Sequence, residues 1–158
     1  MKTGRVEGIY IAPHKGEPTQ SVEQVHIVPG MGIEGDRYFV KPGTANKDTK
    51  SGREITLIEM EAIESMQDDY GIQITPSQTR RNIITRGIAL NELVGHSFYI
   101  GKLQLRGVRL CEPCQTLANR TDPRILPTLV HRGGLRAEII SEGIIYLNDI
   151  ITIPEYGD

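Results

Sequence analysis

The stretch FYIGKLQLRGVRL, residues 98 to 110, holds two short apolar runs on either side of a glycine-containing turn. In the second run, residues 103–110, leucine and valine alternate with polar residues, which is the period of a strand with one buried face. An amphipathic helix would instead repeat its apolar positions every three or four residues. The stretch therefore predicts two β-strands, and much of the remaining chain follows the same pattern.

Other short apolar runs of strand length are bounded by glycine, proline or polar turn residues. They cover residues 6–12, 22–28, 55–58, 83–85, 135–140 and 150–153. Residues 59–70 differ, because their apolar side chains recur at helical spacing, at Met60, Ile63 and Met66. Gly71 is a typical helix stop, so this segment predicts one amphipathic helix.

A second, short helix is predicted over residues 123–130, where proline occupies the first turn and the glycines at 133–134 follow. Many short strands with glycine-rich turns favour a barrel or a sandwich, and the lack of repeated strand-helix-strand units argues against a parallel α/β sheet. We expect a mostly β protein, a closed or partly closed β-barrel with two or three short helices. Since no repeat or linker is present, residues 1–158 are expected to form one domain.

The composition limits the function classes. The 158 residues are 38% apolar and 24% charged, which is the balance of a globular protein and not of a disordered one. The net charge is −2 and no block of like charges is present, so nothing favours nucleic acid as a partner. No run is apolar enough for a signal peptide or a membrane span, so we expect a soluble, cytoplasmic protein.

Two loops are distinctive. Residues 29–38, PGMGIEGDRY, contain three glycines, which allow backbone angles closed to other residues and bring amides close to a ligand. The next stretch, up to residue 53, is rich in lysine, glycine, threonine and asparagine and has almost no apolar side chain. Because so little of it can be buried, residues 40–52 are predicted to form a mobile flap.

The only cysteines are Cys111 and Cys114, within LCEPCQTL at residues 110–117. They are too few for a disulfide-scaffolded domain, and without a second pair they do not complete a four-ligand zinc site. A thioredoxin-like pair would need a strand-helix-strand context. A single reactive thiolate fits better, favoured by Arg106, Arg109 or a helix N-terminus, and Cys114 is better placed than Cys111. Two inert, buried thiols remain the alternative.

Two further motifs are basic. In TRRNIITRGIAL, residues 79–90, three arginines flank a strand that has Asn82 at its start. Guanidinium groups suit phosphate or carboxylate, and an asparagine can both donate to and accept from a polar heterocycle. In HRGGLRAEI, residues 131–139, an arginine precedes two glycines, so that a cation and backbone amides could converge on one anion. An exposed basic edge is the alternative.

The order of four motifs resembles the MOSC family, named for the C-terminal domain of molybdenum cofactor sulfurases. The motifs are EGDRY at 34–38, RRNIITRGIALNELVGHSFYIG at 80–101, LRGVRLCEPCQTL at 105–117 and RGGLRAEIISEG at 132–143. The resemblance covers nearly the whole chain. It implies a β-barrel whose conserved cysteine either carries a persulfide or ligates the molybdenum of a pterin cofactor. Cys114, in Glu-Pro-Cys, occupies that position.

The same resemblance implies a set of residues that line the cofactor. The family's Arg-Asn strand, which lies beside the pterin and its phosphate, is matched by Arg81, Asn82 and Thr85. The loop motif near the barrel mouth is matched by Asp36, Arg37 and Tyr38. The phosphate would be held by Arg81 together with Arg132 and Gly133. The resemblance assigns no role to Cys111, which is either a resolving thiol or a buried neighbour.

Two functions follow from this resemblance. In the first, the protein is a module of a molybdenum cofactor-dependent oxidoreductase, Cys114 is the metal ligand, and electrons come from a separate electron-transfer protein. In the second, the protein is a sulfur carrier: Cys114 receives sulfane sulfur from a pyridoxal-phosphate-dependent cysteine desulfurase and passes it to a metal-sulfur acceptor. A barrel that only binds a partner protein is the third alternative.

Overall fold

The structure is a computed structural model that describes residues 2–40, 54–111 and 132–155. These ranges contain eleven strands, one α-helix and two short 3-10 turns. The strands are β1 Lys2–Ile11, β2 Gln20–Ser21, β3 Gln24–Val28, β4 Gly32–Ile33, β5 Ile55–Glu59, β6 Ile83–Arg86, β7 Ser97–Ile100, β8 Leu103–Leu110, β9 Leu135–Ile139, β10 Gly143–Tyr146 and β11 Ile150–Ile153. The helix α1 spans Met60–Tyr70, and the 3-10 turns span Pro76–Thr79 and Leu90–Leu93.

Seven strands close into a barrel in the order β1, β11, β7, β8, β9, β5 and β6, and β6 pairs with β1 again. All neighbouring pairs in the barrel are antiparallel except β5 and β6, which are parallel and are connected through α1. Strands β3, β4 and β10 form a separate small sheet. The predicted mostly β, closed barrel is therefore confirmed.

The main core lies inside the barrel and consists mostly of branched aliphatic side chains. The alternation of buried and partly exposed residues along a strand is clearest in β9, where Leu135, Ala137 and Ile139 are buried and the two residues between them are partly exposed. Each fully buried aliphatic side chain of this kind stabilises the fold by about 1.5–3 kcal/mol. The largest fully buried members of this cluster include Ile9, Ile27, Ile33, Ile55, Leu57, Ile83 and Phe98.

The helix α1 packs on the outside of the barrel over a second, smaller core. This cluster joins Ile63 and Met66 of the helix to Ile58 of β5 and Ile84 of β6. The helix ends as the sequence predicts, because Gly71 adopts the left-handed conformation (φ 65°) and its amide donates to the Met66 carbonyl. The spacing prediction for this helix is confirmed to within one residue at its start.

Other sequence predictions differ from the structure in detail. Of the run predicted over residues 22–28, β3 covers Gln24–Val28, and the strands β2, β4 and β10 were not predicted. The predicted second helix, over residues 123–130, lies outside the described residues, as does the predicted flap from residue 41 onward. Among the helices of the described ranges, none is long and apolar enough to cross a membrane.

Candidate functional site

The EGDRY loop is fastened to the end of β1 by a buried ion pair. Asp36 Oδ1 accepts hydrogen bonds from the Ala12 amide (3.0 Å) and from Arg37 Nη1 (3.2 Å). The Arg37 amide donates to the Ala12 carbonyl at 2.7 Å. The two charged side chains are only 2% and 8% exposed, so removing one of them would leave the other charge buried, at a typical cost of about 3–5 kcal/mol.

The rest of the Arg37 guanidinium connects the loop to a second motif. Its Nη2 donates to the Arg80 carbonyl at 3.3 Å, and its central carbon lies 4.7 Å from the centroid of the Tyr38 ring. Tyr38 is 42% exposed, whereas Asp36 is buried. Of the three residues that the family resemblance assigned to cofactor binding here, Tyr38 is therefore the accessible one. A cofactor contact by any of the three stays a prediction.

Asn82 lies at the start of β6 and connects β5 to β1. Its Oδ1 accepts from the amide and from the hydroxyl of Thr56, both at 3.1 Å, and its Nδ2 donates to the Tyr10 carbonyl at 3.1 Å. The Asn82 carbonyl also accepts from the Tyr10 amide at 2.7 Å. The side chain thus has partners within the protein and is 5% exposed. Its predicted role in orienting a pterin ring stays a prediction.

Arg81 reaches across to the glycine-rich loop that precedes β9. Its Nε donates to the Gly133 carbonyl at 2.8 Å. Within the described residues, no group accepts a hydrogen bond from its two terminal nitrogens. The structure therefore brings together two residues that the sequence motifs placed 52 positions apart.

Gly134 lets this loop lie against the barrel. Its φ is 109°, and an added Cβ would lie 2.1 Å from the Leu57 carbonyl oxygen, so a side chain has no room there. Its own carbonyl accepts from the Cys111 amide at 2.7 Å. Cys111, at the end of β8, is 1% exposed. Gly133 and Gly134 thus connect the Arg81 side chain to the end of β8.

Arg132 is exposed at the beginning of the same loop, close to Glu59. Burial raises the pKa of the Glu59 carboxyl, and the Leu90 amide, which donates to Oε2 at 3.1 Å, opposes this shift. The charge of Glu61 raises the pKa further, and the Arg132 guanidinium lowers it. Sequence reasoning missed Glu59. The signal that could have found it is a carboxylate directly between a predicted strand and a predicted helix.

Thr85 is separate from these groups. It lies in β6 with 0% exposure, and its hydroxyl makes only a long contact, 3.5 Å, with the Ile58 carbonyl. The cofactor-binding role that the resemblance gave it stays a prediction. Cys114, the predicted thiolate, lies outside the described residues. Within the described ranges, no three His, Cys, Asp or Glu side chains form a group that could hold a metal ion.

Comparison with solved structures supports the architecture. The YuaD protein from Bacillus subtilis superimposes with a TM-score of 0.76 at 22% identity, covering 94% of this chain and 94% of that chain. YiiM from Geobacillus stearothermophilus gives 0.74 at 15% identity, covering 98% and 76%, and YiiM from Escherichia coli gives 0.67 at 16% identity, covering 98% and 72%. At these identities the likeness establishes the fold alone. No curated protein sequence matches the chain.

The family itself is established by the sequence. The model of the MOSC domain matches residues 32–152. That range begins just before the EGDRY motif and extends into β11, so it contains the Arg81 strand, both cysteines and the glycine-rich loop. The chain therefore belongs to the MOSC domain family.

Proposed function

We propose that the protein binds a molybdenum-pterin cofactor where Arg81 meets Gly133, with Cys114 as the thiolate that ligates the metal. The observation that carries the proposal is the hydrogen bonding of the Arg81 guanidinium. Its Nε is held by the Gly133 carbonyl at 2.8 Å, while its terminal nitrogens have no acceptor among the described residues. A guanidinium that is oriented through Nε and has no described acceptor at its terminal nitrogens suits a phosphate group, which accepts two parallel hydrogen bonds from such a fork.

The neighbouring residues suit the same group. Arg132 is exposed on the loop that Arg81 contacts, so a second cation is available for the phosphate. Cys114 is the third residue after Cys111, so the proposal has that thiol near the end of β8. A metal that already carries ligands from its pterin needs only one from the protein. When bound, the cofactor would supply the redox chemistry.

Each of these residues would then have its own role in binding the cofactor. Arg81 and Arg132 bind the phosphate, and the Cys114 thiolate donates an electron pair to the metal. Tyr38, 42% exposed beside Arg37, offers a hydroxyl and an aromatic face near the mouth. Since the electrons must come from elsewhere, a separate electron-transfer protein is the proposed partner.

The second candidate function is a sulfur carrier, in which Cys114 accepts sulfane sulfur from a pyridoxal-phosphate-dependent cysteine desulfurase. The observation that favours it is the burial of Cys111, which is 1% exposed. A persulfide is lost when a nearby thiol attacks it and forms a disulfide. A buried Cys111 is poorly accessible for that attack, so a persulfide on Cys114 would persist until an acceptor arrives.

Freshly purified protein tests both candidates. We expect molybdenum by elemental analysis together with the fluorescence of oxidised pterin. Cyanide-labile sulfur without pterin would instead favour the sulfur carrier. Protein that carries neither, even after incubation with the cofactor or with a desulfurase and cysteine, would contradict both functions and leave a barrel that only binds a partner.

A further inference from the structure

Three segments that are distant in sequence converge at the end of β1. Asp36 and Arg37 bind both main-chain groups of Ala12, and Asn82 binds both main-chain groups of Tyr10. Arg37 also donates to the carbonyl of Arg80. The EGDRY loop and the turn at Arg80 are thus attached to one another and to the same strand end.

The turn that carries Arg81 is strained. Arg80 has a φ of 62°, in the left-handed region that a residue with a Cβ seldom adopts. Such a conformation persists only where surrounding contacts hold it. Here the Arg80 guanidinium donates to the Glu17 carbonyl at 2.7 Å, the Arg81 amide donates to the Thr79 hydroxyl at 3.3 Å, and Arg37 holds the Arg80 carbonyl from the other side.

The main chain at Arg81 is therefore held on both sides by hydrogen bonds to the residues before and after it. On one side is the Arg80 carbonyl, held by Arg37, and on the other is Asn82, held by Thr56 and Tyr10. The path of the main chain at Arg81 decides where its guanidinium meets Gly133. A shift of the turn would move the Nε hydrogen away from the Gly133 carbonyl.

We propose that Asp36 and Arg37 are positioning residues that set the guanidinium of Arg81, and that they do not themselves bind a ligand. Their burial, 2% and 8% exposed, withholds both charges from a ligand, and the Arg37 fork is divided between Asp36 and the Arg80 carbonyl. The Asp36–Arg37 pair of the loop thus acts through Arg80. The inference deepens the proposed function, because Arg81 is the anion-binding residue of that proposal.

The variant Arg37→Lys separates positioning from folding. Lysine keeps a positive charge beside Asp36, but a single ammonium cannot replace the planar fork that spans Asp36 and the Arg80 carbonyl. The readout is the side-chain Nε–H signal of Arg81 in a nitrogen-15 NMR spectrum, identified by its loss in Arg81→Lys. Hydrogen bonding to Gly133 should make this proton exchange slowly with water in the wild-type protein.

Arg86 provides the matched control. Its Nε donates to Glu7 Oε1 at 2.8 Å, the same length as the Arg81 contact, and it lies at the other end of β6. In Arg37→Lys we expect the Arg81 Nε proton to exchange at least about tenfold faster, with Arg86 unchanged and the melting temperature lowered by only a few degrees. The proposal would be overturned if Arg37→Lys folded and its Arg81 Nε proton exchanged at the wild-type rate. It would also be overturned if exchange became faster by the same factor at Arg81 and Arg86.

A second variant covers the case in which Arg37→Lys does not fold. Asp36→Asn keeps an oxygen that can accept a hydrogen bond from the Ala12 amide. It removes the negative charge beside the Arg37 guanidinium, so that only an uncharged acceptor is left for Arg37. It should accelerate Arg81 exchange in the same direction and to a smaller extent, and no change would overturn the proposal. Titration with inorganic pyrophosphate is an independent experiment, and we expect both variants to bind pyrophosphate more weakly than the wild type. If wild-type protein binds no pyrophosphate, the proposed function is contradicted, while the exchange experiment still decides the positioning role.

Discussion

His26 lies between two carboxylates on the small sheet. Its Nδ1 is 2.9 Å from Glu34 Oε2 and its Nε2 is 3.0 Å from Glu142 Oε2, and these two contacts, Glu34 first, raise the pKa of the imidazole above its ordinary value of 6.5. Since the folded pKa is the higher one, the stabilising effect is fully present below about pH 6.5 and is lost as the pH rises through the folded pKa.

The prediction is that the melting temperature of the wild-type protein falls relative to His26→Gln as the pH is raised from 6 to 8.5. NMR titration of the imidazole supplies the pKa directly. A His26 signal that titrates at or below 6.5 would show that the carboxylates do not hold the charged form.

The pKa of Glu59 is also raised, in this case because burial penalises the charged form of an acid. The folded state therefore gains stability as the pH falls through the raised pKa toward 4.5. At neutral pH the Glu59 carboxylate is charged, which destabilises the folded state. Glu59→Gln keeps an oxygen for the Leu90 amide and removes the charge. We expect it to melt higher than wild type at pH 7, with the difference shrinking toward pH 4.5.

Glu92 offers a control for that experiment, since it is exposed and its ion-pair partner among the described residues is the exposed Lys2. Glu92→Gln should change the melting temperature little at either pH, because exposed ion pairs contribute little. A Glu59→Gln variant that behaves like Glu92→Gln, or that melts lower at pH 7, would refute the assignment of Glu59 as a desolvated acid.

The two cysteines should differ in reactivity. As a metal ligand or sulfur carrier, Cys114 is predicted to have a pKa below about 8.5, the value of a free cysteine, and to react with iodoacetamide near neutral pH. Cys111, 1% exposed, should react slowly in the folded protein. Mass spectrometry of protein labelled from pH 5 to 9 measures both rates. Equal profiles at the two thiols, or an unreactive Cys114 after cofactor removal, would count against the proposed role.

At the level of elements, the site depends on the glycine-rich loop lying directly against β5. At Gly134 a Cβ would clash with the Leu57 carbonyl oxygen, and the φ of 109° is strained for any other residue. Gly95 also has a positive φ, 81°, but has open space around it. The pair of alanine variants therefore separates backbone strain from steric clash.

We predict that Gly95→Ala destabilises the protein by about 1–2 kcal/mol, the cost of the left-handed conformation, and that Gly134→Ala costs clearly more than this. Urea unfolding of the two variants measures the difference. Equal losses would mean that the loop moves away from β5 without penalty, and the close approach would then not be needed for the fold.

The elements that could be predicted from the sequence are those with a clear period. Leu103–Leu110 alternates and is β8, and the apolar positions of Met60–Tyr70 have helical spacing and form α1. Gly143–Tyr146, GIIY, became β10 without having been predicted, because two adjacent isoleucines do not alternate and no polar residue marks a solvent face. Gly32–Ile33 is too short to carry any period.

On the scale of the whole molecule, the sequence motifs did not show what each side chain touches. They singled out the loop at Asp36 and the strand at Asn82, and in the structure both side chains bond to protein groups at the end of β1. These contacts join residues 24 and 72 positions apart. Local patterns carry no information about such pairs, since the closed barrel brings them together and pairs Lys2 of β1 with Ile153 of β11.

Arg81 is proposed to hold the phosphate of a cofactor beside the glycine-rich loop. Arg81→Ala removes a fork with no described acceptor at its terminal nitrogens, so it should lower cofactor affinity, whereas it deprives the fold of one contact to Gly133. Charge-assisted hydrogen bonds of this kind contribute about 1.5–3 kcal/mol, which corresponds to at least about a tenfold loss of affinity. Arg132→Ala should act in the same direction, and the exposed Arg5 on β1, which pairs with Glu7, supplies a control.

We would measure molybdopterin affinity and melting temperature side by side for wild type, Arg81→Ala and Arg5→Ala. We expect a loss of about tenfold or more in affinity for Arg81→Ala, a melting temperature close to that of the wild type, and no change of either kind for Arg5→Ala. If the melting temperature of Arg81→Ala fell while its affinity stayed at the wild-type value, Arg81 would be a structural residue only and its proposed role in binding the phosphate would be wrong.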